Sequence, residues 1–153
     1  MKKIILFILL FPISSYGFEY LDYSSDMSKE AVKTLLSKQY KNVNEREGGE
    51  LEVGDPPNWM VFSFCKGKLN TINVGWKADI HQFIILSSEF ENKYGVSRNY
   101  HANIKSLNST GTQYSASAWW NKGKDWYGIL YSSYDTAPDS MTVVYQKRDA
   151  CHK

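Results

Sequence analysis

The chain has 153 residues, with 18 Lys and Arg against 16 Asp and Glu, and 15% of it is aromatic. A charge balance this close to neutral withholds the electrostatic support on which nucleic-acid binding depends. The length fits one domain with a sizeable core.

The first residues carry an export pattern. Met1-Lys2-Lys3 is a short positive start, Ile4 to Phe11 is an unbroken apolar run, and Ser15-Tyr16-Gly17 offers small residues around a cleavage point. This predicts a signal peptide over 1–17 and a single α+β domain over 18–153, periplasmic or secreted. The apolar run is short of the roughly 20 residues that span a bilayer. No membrane span is therefore expected after cleavage. No cysteine near that point suggests a lipid anchor. Removing Lys2 and Lys3 balances 16 basic against 16 acidic side chains. In an oxidising compartment the two cysteines, Cys65 and Cys151, are expected to form a disulfide, with two separate thiols as the alternative.

The first predicted helix is "SKEAVKTLLSKQY", capped by Asp26 or Ser28, with Val32, Leu35 and Leu36 as its apolar stripe. Residues 41–58 are rich in acids, glycine and proline and read as a solvated loop, with room for a short edge hairpin at Gly48-Gly49. The acids lack the spacing of a calcium loop. Next comes a hairpin, 59–65 and 68–76, turning at Lys66-Gly67. A two-residue turn there sets Phe64 against Leu69 and Val61 against Ile72. A second helix, "DIHQFIILSSEFENKYG", starts at Asp79 and ends at Gly95, with Ile80, Phe83, Ile84 and Phe90 on or near one face. His81 in its first turn reads as a surface residue. Residues 96–110 are polar and loop-like. They hold the Asn108-Ser109-Thr110 sequon, which matters only in a host that glycosylates.

The last third predicts three strands, 112–120, 125–133 and 140–147. The fold class is α+β, two helices on an antiparallel sheet in the order α-β-β-α-β-β-β. Lys-Gly-Lys turns at 66–68 and 122–124 raise the possibility of a duplicated αββ unit.

No catalytic set has convincing spacing. His81, His101 and His152 form no zinc motif, and a nucleophile elbow and a phosphate loop are both missing. Cys65 would need a base, and a disulfide would disable it. Neither a cofactor nor a metal is expected, and a non-enzyme is favoured. The remaining signal is aromatic. With a two- or four-residue turn at 121–124, Tyr114, Ala116 and Ala118 share a face with Tyr127, Ile129 and Tyr131. The other face holds Ser115, Ser117 and Trp119 with Trp126, Gly128 and Leu130. Small alanines suit a covering helix on the first face. The second presents Trp119 opposite Trp126, ringed by small polar residues and edged by Lys122 and Lys124. A three-residue bulged turn would exchange these partners, and tryptophans in sheets also serve as core.

Two resemblances follow from quoted residues. Phe83 and Phe90 on a helix, "KYG" at 93–95, Gly111, Trp120, Ile129 and "VVYQ" at 143–146 resemble small exported bacterial α+β proteins of unknown function, over residues 80–147. That likeness implies the layout and no activity. Residues 109–124, "STGTQYSASAWWNKGK", are similar to the Ser-Gly-x-x-Tyr and Trp-x-Lys-Gly pattern of periplasmic inhibitors of c-type lysozyme. In that family a loop serine enters the lysozyme cleft and a lysine assists. Thr110 holds the serine place here, before Gly111 and Tyr114, and Lys122 matches the lysine. The family is an all-β barrel with more cysteines, a departure from the two helices expected here.

The function expected is binding or inhibition of another protein, of inhibitor or immunity type. Trp119, Trp126, Lys122, Lys124 and Thr110 are the candidate contact residues. A glycan- or peptidoglycan-binding module is the alternative, and an envelope hydrolase with an unread site is a third.

Overall fold

The computed structural model describes residues 19–97, 99–106, 111–135, 137–148 and 151. Residues 1–17, expected as a signal peptide, the Asn108 sequon and Thr110 lie outside these residues. A short hairpin, β1 (Glu19–Tyr20) and β2 (Tyr23–Ser24), comes first. Helix α1 (Lys29–Gln39) follows, and of its two expected caps Ser28 serves, its hydroxyl accepting from the Ala31 amide. Asp26 instead takes a positive φ of 74° and pairs its carboxylate with Lys147. Strands β3 (Asn44–Glu45), β4 (Leu51–Asp55), β5 (Asn58–Cys65) and β6 (Lys68–Lys77) then run as a meander. Helix α2 (Ile80–Tyr94) opens with a reciprocal capping box between Asp79 and Gln82 and closes at Gly95. A second meander, β7 (Asn99–Ser106), β8 (Thr112–Lys122), β9 (Asp125–Tyr134) and β10 (Ala137–Lys147), completes the described chain.

The two meanders join through their last strands. The sheet runs β3-β4-β5-β6-β10-β9-β8-β7, every pair antiparallel, with Val74 of β6 opposite Val143 of β10 at the seam. The α+β class and the antiparallel sheet agree with the sequence. The element order is richer than expected. Residues 96–110, read as loop, contribute the eight-residue strand β7. Residues 41–58 form the β3–β4 hairpin and bury Leu51 and Val53. Each helix is followed by four strands rather than two. Moreover, the two Lys-Gly-Lys turns sit at unlike places, between the third and fourth strands of the first meander and the second and third of the second.

Both helices lie on one face. α1 presents Val32 and Leu36 to a core with Tyr23, Phe62 and Ile72. α2 sets Phe83 toward Tyr131, Phe90 edge-on to Trp120, and Tyr94 stacked on Tyr127 at 4.0 Å. This rotates the α2 stripe from the expected one. Phe83, Ser87 and Phe90 are buried, while Ile80 and Ile84 are exposed. Register also differs in the first hairpin. Lys66 and Gly67 both take positive φ in a two-residue turn and Phe64 meets Leu69 as expected, but a bulge between Ser63 and Phe64 moves Ile72 from Val61 to Phe62. That bulge puts Phe62 and Ile72 together in the core.

The Cys65–Cys151 disulfide is present, with Cα atoms 6.0 Å apart across a sequence separation of 86. It fastens the end of the described chain to the β5–β6 turn. No helix among the described residues is long and apolar enough to cross a membrane.

Candidate functional site

The sheet face away from the helices carries no described element. Its side chains can be followed strand to strand in rows, because facing residues of antiparallel strands point to one side. One row reads Asn99, Trp119, Gly128, Val144, Asn73, Val61 and Glu52 across β7, β8, β9, β10, β6, β5 and β4. A neighbouring row reads His101, Ser117, Leu130, Thr142, Gly75 and Trp59. On the other side lies Asn121, Trp126, Gln146, Thr71 and Ser63. Three tryptophans on three strands therefore share one open surface, each half-buried. Serine, threonine, asparagine and glutamine fill most of the remaining places.

The alternation of faces expected for β8 and β9 holds. Ala116, Ala118 and Trp120 pair with Tyr131, Ile129 and Tyr127 under α2, and Trp119 and Trp126 share the other side. The pairing itself is corrected. The turn has two residues, Gly123 and Lys124, so Lys122 meets Asp125 and Trp119 meets Gly128. Trp126 faces Asn121, and the two indoles lie diagonal, tilted by 64° with centroids 6.4 Å apart. The Arg148 guanidinium stands 5.8 Å from the Trp126 ring, a cation–π contact that the sequence reading missed.

Glycine explains how these rings lie. A Cβ on Gly128 would come within 2.5 Å of the Trp119 ring. A Cβ on Gly75 would come within 2.3 Å of the Trp59 ring. Each indole thus rests on the bare backbone of the neighbouring strand, which only glycine permits. Trp59 was not among the expected site residues. Its signal was a tryptophan whose strand partner is glycine, and that partner is known only once the bulge at Ser63 and Phe64 is placed. Gly128→Ala is expected to push the Trp119 ring outward and cost about 1–3 kcal/mol, as overpacking does. An indole N–H resonance of Trp119 that shifts, with greater quenching by iodide, would show it. An unmoved resonance would contradict the seat described.

Charge sits at the margins of this face. Arg46 bonds Glu52 through Nε and an η nitrogen and lies 3.8 Å from Glu50, which accepts from the Ser63 hydroxyl. The Arg46 guanidinium holds the Glu52 carboxyl below its ordinary range. This cluster borders a hollow of about 370 Å³ beside Trp59, Val61 and Asn73. Lys77 lies at another corner, opposite Ser140. Of the expected lysines, Lys124 stands exposed in the turn, while alternation assigns Lys122 to the Trp120 side rather than to the tryptophan surface. Thr110, outside the described residues, is placed with neither.

Asp125, at the start of β9, is buried, and one of its carboxylate oxygens has no hydrogen-bond partner. Burial pushes its carboxyl above the ordinary range, against the pull of Lys147 and with the push of Asp26. It belongs to the helix side, away from the tryptophans. Among the described residues no group of three or more His, Cys, Asp or Glu side chains could hold a metal ion. Comparison with protein-family models, with curated proteins and with solved structures gave no match.

Proposed function

We propose that this chain is an exported, non-enzymatic binding protein that holds another protein against its open sheet face, as an inhibitor or an immunity protein does. One observation carries the reading. The face sets Trp59, Trp119 and Trp126 among Ser115, Ser117, Asn73, Asn121, Thr142 and Gln146, with formal charge at its margins and the Arg148 guanidinium beside Trp126. That composition, rigid aromatic anchors among small adaptable polar groups, is the one binding surfaces use to gain contact area at little entropic cost. The glycine seats fix the Trp59 and Trp119 rings before any partner arrives, which lowers the ordering cost of association. The signal-peptide pattern supports export, and the Cys65–Cys151 bridge is at home in an oxidising compartment. The local likeness at residues 109–124 to periplasmic lysozyme inhibitors points toward the same class of function.

A glycan or peptidoglycan ligand is the second reading. An indole whose one face rests on glycine leaves its other face for a sugar ring to stack on.

The two part company in a capture experiment. Immobilised mature protein is expected to retain a partner from the native periplasm or culture fluid. Trp119→Ala and Trp126→Ala should each release it by a factor of at least ten, about 1.4 kcal/mol, while Ile85→Ala, exposed on α2, should not. Because the centre of the face is uncharged, the retention should change little with salt. Binding of soluble muropeptides that quenches tryptophan fluorescence, with no protein retained, would transfer the surface to the glycan reading. Capture indifferent to both tryptophans would remove the face from the function altogether.

A further inference from the structure

The two edges of the sheet are finished differently. At one end β3 is two residues long, and its Glu45 is tied to Lys29 and Lys33 of α1. Short length and charge are the usual means of blunting an edge. At the other end β7 runs eight residues, pairs among the described residues with β8 on one side only, and contains no proline and no bulge. Apolar exposure gathers there as well. Of the eight large hydrophobic side chains exposed among the described residues, Ile80, Tyr100, Ile104 and Tyr114 belong to this end, with Ile104 71% exposed. Ile80, Ile104 and Tyr114 line an apolar hollow of about 300 Å³ whose remaining lining includes Ala102, Ala116 and Tyr131. Tyr100 is held in place by its hydroxyl, which donates to Glu91 of α2 at 2.6 Å.

We propose that this edge pairs antiparallel with the β7 edge of a second copy of the chain, about a twofold axis at Ala102. The sequence of β7 is complementary to itself in that register. On the helix side, Tyr100 falls opposite Ile104 of the second copy, Ile104 opposite its Tyr100, and the small Ala102 opposite itself. On the other side, His101 falls opposite Asn103 in both directions. No like charges meet, and every apolar position meets an apolar one. A shift of the axis by one residue, to Asn103, would set Ile104 against Ala102 and leave Tyr100 unmatched by any apolar partner on β7. A standard interface takes about 800 Å² from each partner. An eight-residue edge falls short of that alone, and the exposed isoleucines and tyrosines beside the hollow supply further area. Pairing would continue one sheet through sixteen strands, twice the eight of one copy, with the two tryptophan faces on the same side.

Sedimentation and light scattering of the full mature chain, from micromolar to near-millimolar concentration, test this. A dimer is expected, and Ile104→Lys is expected to leave a monomer with unchanged far-ultraviolet dichroism. Register is read independently of that variant. Ala102→Cys should oxidise to a covalent dimer, because directly opposed Cβ atoms lie about 4.5–5.5 Å apart, and Asn103→Cys should not. A wild-type monomer throughout the range overturns the proposal, including one whose β7 amides gain protection only when a different polypeptide is added. So does a dimer that Ile104→Lys leaves intact, or equal cross-linking at 102 and 103. None of these measurements reads the capture experiment above, so the two proposals fail separately.

Discussion

Trp120→Ala is expected to lower the unfolding free energy by about 3–5 kcal/mol, the range for emptying a buried tryptophan site. Trp119→Ala, one residue earlier, should cost about 1 kcal/mol, the ordinary size for a side chain that is not core. The two indoles are neighbours in sequence and lie on opposite sides of β8. Trp120 is 1% exposed, packs edge-on against Phe90 at 5.3 Å, and lies 6.5 Å from Tyr100. Trp119 rests on Gly128 with its outer side free of any described element. Equilibrium urea denaturation of the two variants measures the difference. Equal losses would mean that the face assignment, and the binding surface built on it, is wrong. Trp120 also buries its indole N–H without a hydrogen-bond partner. Trp120→Phe should therefore be milder than Trp120→Ala, because it removes an unpaid polar group along with part of the ring.

Removing the disulfide should produce a loss of similar size by a different route. Cys65 and Cys151 are 86 residues apart, and tethering a loop that long stabilises by about 4–5 kcal/mol through the unfolded chain. The double substitution Cys65→Ser, Cys151→Ser is expected to lower the melting temperature by roughly 10–20 °C for a domain of this size. The folded spectrum should survive, since the bridge lies at the β5–β6 turn and outside the core cluster. Calorimetry of the variant beside reduced wild type is the measurement. Two matching transitions well below the oxidised protein are expected. A shift of only a degree or two would mean that the bridge contributes little beyond what β10 already supplies by pairing with β6 and β9.

Much of this arrangement was legible in the residues because face assignment is robust. A turn of two residues and a turn of four put the same side chains on each side of a hairpin, so an even turn alone was enough to group Ala118 with Ile129 and Trp119 with Trp126, while a three-residue turn, and with it the choice of open side, stayed undecided until the structure showed two residues. Partner identity is not robust in that way, and the expected Trp119–Trp126 pair became a diagonal. The bulge at Ser63 and Phe64 escaped for the same reason. It depends on which apolar residues must meet in the core, a tertiary demand with no local mark. Strand β7 was invisible because its alternation is weak, with only Tyr100, Ala102 and Ile104 apolar and none of them buried. The α2 stripe was misplaced because Ser87, a buried position, reads as polar, while Ile80 and Ile84 read as core and are exposed.

The seam between β6 and β10 has a consequence for the order of events when the chain is made. Within each meander the strands meet neighbours in sequence, and such local contacts form quickly. The seam instead joins Thr71 to Gln146 and Lys77 to Ser140, so the middle of the sheet is assembled from the last of the described strands. Until β10 has emerged, β6 presents a bare inner edge and the two halves share no ladder. Each half can therefore form its own ladders early, and the centre of the sheet closes only when β10 pairs with β6.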